Sequence, residues 1–289
     1  MAKHAEERLG SGIKVKKRIY PSQIVLNIIL ICLLFIMLYP LALTVWGSFK
    51  SDLGFQYTKW YPTLPLWGTN YSTAGPQMIT YMINTTIVAS VGTLGMLFLA
   101  SLGAYGFARV KFVGREAIYM AVIALMMIPG VLSLVPSFML WKSILGLNNY
   151  WILILPIWFG GTVFGVFLLR AFFTGIPEEI FESARIDGAN EFKVYFSICL
   201  PMSMPILGTL TIMQITSTWN DYLWPLICIQ EEKYMTITVG LMVRFTSQYA
   251  NNYPVMFAAY VIASIPLILL FIFANRFYIE GLTSSAIKI

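Results

Sequence analysis

The side chains able to do chemistry concentrate in one short stretch, residues 175–192. The chain as a whole is 58% hydrophobic and only 11% charged. Within this stretch stand Glu178, Glu179, Glu182, Asp187 and Glu191, interleaved with the small residues Ser183, Ala184, Gly188 and Ala189. No histidine base is at hand for a nucleophile, so the chemistry is that of contact. Carboxylates seek a basic partner, and small side chains let a second backbone come close. A second group is Trp219, Asn220, Asp221 and Tyr222, with Gln214 one and a half turns earlier. Aromatic faces beside amide and carboxylate acceptors suit a neutral polyol or sugar. Interfacial anchoring by Trp and Tyr, with Asp221 capping or pairing near the surface, suits the same residues better still.

Catalytic chemistry finds no support elsewhere. His4 is the only histidine, and Cys32, Cys199 and Cys228 form no C-x-x-C pair. This argues strongly against a zinc site and against a Ser-His or Cys-His device. No G-x-x-x-x-G-K-[ST] loop is present, so the chain has no recognisable cradle for ATP. Its net charge of +6 is not gathered on one face, which argues against nucleic acid as a partner.

The elements that position these residues are membrane spans. A charged fraction of 11% is far below the usual ~25% of soluble domains, and mean hydropathy is +0.74. The run Ile24 to Trp46 is too long for a signal-peptide core and long enough to cross a ~30 Å hydrocarbon layer. Five more runs follow: Met82 to Phe107, Ala117 to Leu140, Trp151 to Phe172, Met202 to Trp219 and Val255 to Phe273. Pro129 and Pro136 interrupt the third, and Pro205 lies near the start of the fifth. Such prolines either kink a helix or free carbonyls to line a cavity. Gly161 and Gly165 of the fourth read as helix-packing positions. The expected class is all-α: a polytopic membrane protein of six transmembrane helices with a cytoplasmic helix–turn–helix loop. Its parts are a tail at 1–23, a permease domain at 24–276 that includes the loop at 174–200, and a tail at 277–289.

Lysine and arginine set the orientation. Fourteen fall in the segments that share a side with the N-terminus; five (Lys50, Lys59, Lys142, Lys233 and Arg244) fall on the other. Positive residues mark the cytoplasmic side, so both termini are expected inside. Residues 175–192 then lie inside as well. Pro177, Glu178 and Glu179 suit a helix start, and Ile180, Phe181 and Ala184 share one face. Gly188 suits a stop, and a second helix over Glu191 to Ile198 leads into Leu200-Pro201. This elbow reads either as a connector on the lipid surface or as a docking joint. Its carboxylates disfavour anionic lipid and favour a basic protein groove.

The pattern Glu182-Ser183-Ala184, three residues, Gly188, nine residues, Ile198-Cys199-Leu200-Pro201 resembles the E-A-A-x3-G-x9-I-x-L-P signature of ABC importer permeases. Only Ser183 departs from it, and serine is nearly as small as alanine. Asn84-Thr85, the stretch Ala104 to Phe112, Gly146 to Asn149, Trp219 to Leu226 and Gly281-Leu282-Thr283 resemble the carbohydrate-uptake, maltose-permease-like branch. The ending Ser284 to Ile289 departs from the family's usual tail. The resemblance implies a bacterial or archaeal cytoplasmic-membrane subunit forming half of a translocation pathway. It implies as partners a second homologous permease, an ABC ATPase dimer that binds ATP and Mg2+, and an extracytoplasmic solute-binding protein. It assigns Glu182, Ser183, Ala184, Asp187, Gly188, Ile198, Leu200 and Pro201 to ATPase coupling, and no enzymatic activity or cofactor to this chain. It implies that Gly188→Asp leaves membrane insertion intact and uncouples ATP hydrolysis from uptake. An ion-coupled secondary transporter is the alternative. Such proteins usually carry inverted repeats and mid-membrane carboxylates, and Asp221 stands near a span end.

Overall fold

The computed structural model describes residues 21–286, with side chains from Ser22 to Ala274. The basic tail through Tyr20, including His4, lies outside the described residues, as do residues 287–289. The described residues form helices and connecting turns, with no strand among them.

Four helices are long and apolar enough to cross a membrane unbroken. They are α1 (Pro21–Gly47), α3 (Thr69–Arg109), α6 (Trp151–Thr174) and α14 (Tyr253–Ala286). Two bent helix pairs pass the same test of length and apolar character, which brings the number to six when each pair is counted as one crossing. Between α1 and α3 sits the short α2 (Asp52–Tyr57), N-capped by the Ser51 hydroxyl. α3 has 41 residues and so runs about 61 Å, roughly twice the hydrocarbon thickness. It therefore reaches beyond the bilayer, and both ends are free to build sites.

The run Ala117 to Leu140, which reads as one interrupted span, is broken sharply. α4 (Arg115–Ala124) and the 3-10 turn after it meet α5 (Gly130–Leu145) at 99°. Proline supplies no N–H and pushes the residue before it to extended backbone; Ile128, before Pro129, has φ −79° and ψ 116°. Pro136 sits inside α5 without ending it. The fifth crossing bends by 73° where α9 (Leu200–Met202) meets α10 (Met204–Asn220). Pro201 and Pro205 flank that bend, and the Ser203 hydroxyl donates to the Cys199 carbonyl at 2.7 Å. After two short helices, α12 (Ile237–Val239) and α13 (Thr246–Gln248), α14 continues as helix to Ala286, through residues 277–286 that read as a tail.

The core is built on α3 against α6. Gly165 faces Ala100 so closely that an added Cβ would lie 2.6 Å from the alanine's own. Gly161 faces Met96 in the same way, and Gly95 leaves the room that the Trp158 indole fills. The Trp158 Nε1–H donates across to the Val91 carbonyl at 3.0 Å. Small residues bring two backbones together, as the G-x-x-x-G spacing predicts. By contrast, α5 has no buried residue, and the most apolar window of α1 has none either.

Candidate functional site

The elbow begins where α6 ends. α7 (Glu178–Ile186) starts after Pro177, which takes the cap position just outside the first turn. Its acidic first turn complements the positive helix end. It closes in a Schellman turn: Gly188 N–H donates to the Arg185 carbonyl and Ala189 N–H to the Ala184 carbonyl, both at 3.0 Å. Gly188 has φ +80°, a conformation that costs other residues a clash at Cβ. Asn190 then caps α8 (Glu191–Val194) by accepting from Lys193 N–H at 2.9 Å. The second elbow helix runs further than Ile198: π-type turns over Tyr195–Cys199 carry it into α9.

Three contacts clamp the elbow to the membrane-spanning core. Arg109, the last residue of α3, donates to the Glu178 carboxylate and to the carbonyls of Phe173 and Ile176. Its guanidinium lies 4.1 Å from the ring centre of Phe181, which is fully buried. Further up α3, the Tyr105 hydroxyl donates to Glu191 Oε2 at 2.6 Å, and Ser101 and Tyr195 share a hydrogen bond at 2.6 Å. Arg185 crosses the elbow itself, reaching Glu178 at 3.2 Å and Glu191 at 3.1 Å. The Tyr105 hydroxyl, with Arg185 adding to it, holds the Glu191 carboxyl below its ordinary pKa; burial opposes this. The same carboxylate holds Arg185 firmly protonated.

The residues assigned to coupling divide by exposure. Glu182, Ser183, Asp187, Gly188 and Pro201 are exposed, whereas Ala184, Ile198 and Leu200 are half-buried. Two residues without a place in the sequence pattern join the exposed face: Ile186 is 86% exposed and Phe192 73%. Ile186 lies five positions after Phe181, about 140° around the helix, so it points away from the buried stripe. That offset was the available signal.

The second group is dispersed rather than gathered. Trp219 is buried, and its Nε1–H donates to the Ala263 carbonyl of α14 at 3.2 Å. Asn220 donates to the Thr216 carbonyl of its own helix, and Gln214 to the Thr218 hydroxyl. The Asp221 carboxylate accepts from Trp224 N–H at 3.4 Å, at the start of α11 (Leu223–Cys228). Tyr222 is exposed. An open space lies between α5 and α6, a cavity of about 640 Å³ whose wall includes Ser133, Ser137, Trp141, Phe159 and Trp224. Trp141 and Phe159 stack there at 5.9 Å. In the sequence Trp141 and Trp224 read as interfacial anchors near span boundaries, and Phe159 is one apolar residue within the fourth run.

Residues 96–283, which contain the whole elbow, match the family of the binding-protein-dependent transport system inner membrane component. The chain belongs to that family. Among relatives of this inner-membrane component is the arabinooligosaccharides transport system permease protein AraQ of Bacillus subtilis. It is 33% identical over 208 residues, 72% of this chain and 73% of AraQ. The melibiose/raffinose/stachyose import permease protein MelC of the same organism is 34% identical over 207 residues, 71% of this chain and 75% of MelC. Among solved structures, a bacterial ABC transporter involved in the import of the acidic polysaccharide alginate superposes with a TM-score of 0.78. It covers 90% of this chain and 99% of its own, at 22% identity, and establishes the shared fold. The elbow is thus part of an inner-membrane transport component.

Proposed function

We propose that this chain is one of two permease halves of an ATP-driven importer for a sugar or oligosaccharide, with ATP and Mg2+ held by a separate ATPase dimer. The observation that carries this is the elbow's two-sided build. Its inner side is clamped to α3 by Arg109 and Tyr105, while its outer side presents Ile186, Phe192 and the exposed carboxylates of Glu179, Glu182 and Asp187. A joint of this kind transmits force: a push on its exposed face moves α3 and α6 together, because charge-assisted hydrogen bonds resist shear. The exposed Ile186 and Phe192 fit an apolar notch, and Glu179, Glu182 and Asp187 fit a basic rim around it. Bare faces on α1 and α5 suit a second, related permease as cover. The positive-inside balance supports both termini and the elbow on the cytoplasmic side, with a solute-binding protein delivering cargo to the other. The names of the relatives support carbohydrate as that cargo.

Purification in mild detergent tests this. The wild-type chain is expected to bring down a soluble ATPase and a second permease. The double variant Ile186→Glu, Phe192→Glu is expected to lose the ATPase and keep the permease. An ATPase retained undiminished by that variant would overturn the docking role.

A further inference from the structure

At the end of α3 remote from the elbow, five polar side chains close on one cavity of about 380 Å³: Gln77, Glu232, Arg244, Ser247 and Gln248. Gln77 and Arg109 lie on the same helix, so the cavity stands about 48 Å from the elbow, across the membrane from it. Its volume falls within the range of ligand pockets, about 300–1,000 Å³.

The cavity is built, not incidental. Glu232 is held at both oxygens, by the Tyr81 hydroxyl at 2.9 Å and by Arg244 Nε at 3.0 Å. Tyr81 in turn packs on Gly240, in the helical turns (Gly240–Phe245) that carry Arg244. The arginine is thereby oriented through Nε, and its two terminal nitrogens have no partner among the described residues. Gln77 donates to the Gln248 amide oxygen at 3.2 Å, and its own amide oxygen is buried without a partner among the described residues. Donors and acceptors thus stand side by side, and the one cation and one anion cancel.

That balance selects the ligand class. An anion would meet Glu232 beside its arginine, and a cation the reverse. A neutral molecule rich in hydroxyl groups uses both, since each hydroxyl donates and accepts. We propose that this cavity is a saccharide-binding subsite on the delivery side of the chain, with Arg244, Gln77 and Gln248 making the contacts. The proposal deepens the importer reading and rests on its orientation.

The test is equilibrium binding of raffinose, maltotriose and arabinotriose to the full complex with the second permease and the ATPase, in nanodiscs without solute-binding protein. At least one saccharide is expected to saturate. Arg244→Ala and Gln248→Ala are expected to weaken it about tenfold or more, and Arg244→Lys by less. Both variant sites lie on the surface, and recovery of the assembled complex checks folding. The proposal is overturned if none of the three saccharides binds or if the variants leave binding unchanged. It is equally overturned if the variants impair only docking of the solute-binding protein, which would make the cavity a protein contact. ATPase recovery is scored separately in each preparation, so a failed importer reading and a failed subsite give different results.

Discussion

The Tyr105 hydroxyl donates to the Glu191 carboxylate at 2.6 Å, tying the long second span to the second helix of the elbow. Tyr105 is buried and Glu191 exposed, so the bond joins the core to the elbow's surface. A hydrogen bond to a charged group contributes about 1.5–3 kcal/mol, and the lower end applies at this exposure. Tyr105→Phe is expected to retain the ATPase while lowering uptake per ATP hydrolysed by roughly tenfold. Parallel transport and phosphate-release assays in proteoliposomes check this. Equal losses of both rates would show that the bond serves folding alone.

The same bond sets a pH response. The Glu191 carboxyl is held below its ordinary range, chiefly by Tyr105. Its contribution is complete above the unfolded carboxylate pKa and is lost only as pH falls through the lowered folded value. Uptake per ATP is therefore expected to stay flat between about pH 6 and pH 8. A drop with a midpoint near neutrality would contradict the assignment.

Gly188 holds φ +80° at the elbow's turn. Asparagine tolerates that region, whereas a β-branched residue does not. Gly188→Asn is expected to retain more of the transport rate than Gly188→Val, which is expected to abolish uptake while the chain still reaches the membrane. Membrane fractionation with a transport assay distinguishes the two. If both variants transport equally, the turn does not need its left-handed backbone.

Between α3 and α6, an added Cβ at Gly165 would lie 2.6 Å from the Ala100 Cβ. Gly165→Ala is expected to cost about 1–3 kcal/mol through overpacking. Pairing it with Ala100→Gly is expected to restore most of that loss. Thermal unfolding in detergent reads both. A double variant no more stable than the single one would disprove the direct contact.

Orientation is open to direct measurement. In a Cys32→Ser background the remaining cysteines, Cys199 and Cys228, are buried. Ser183→Cys on the elbow is expected to react with an impermeant maleimide only in inside-out vesicles. Ser247→Cys, at the opposite end, is expected to react only in right-side-out cells. The reverse pattern would invert the whole topology.

Local rules determined much of this protein from its sequence. In lipid every backbone polar group must be satisfied within its own segment, so spans announce themselves as long apolar runs. α1 and α6 lie within three residues of those runs at each end. The elbow was legible for a similar reason, since the proline start, the acidic first turn and the glycine stop all act within one helical turn. Tertiary structure alone decided what grips the elbow, because Arg109 and Glu178 stand 69 positions apart and Tyr105 and Glu191 stand 86 apart. It turned Trp219 inward onto α14 and brought Gln77 to Gln248 across 171 positions. Pairings at such separations leave no periodic trace, since they depend on how whole helices pack and not on the order of their neighbours.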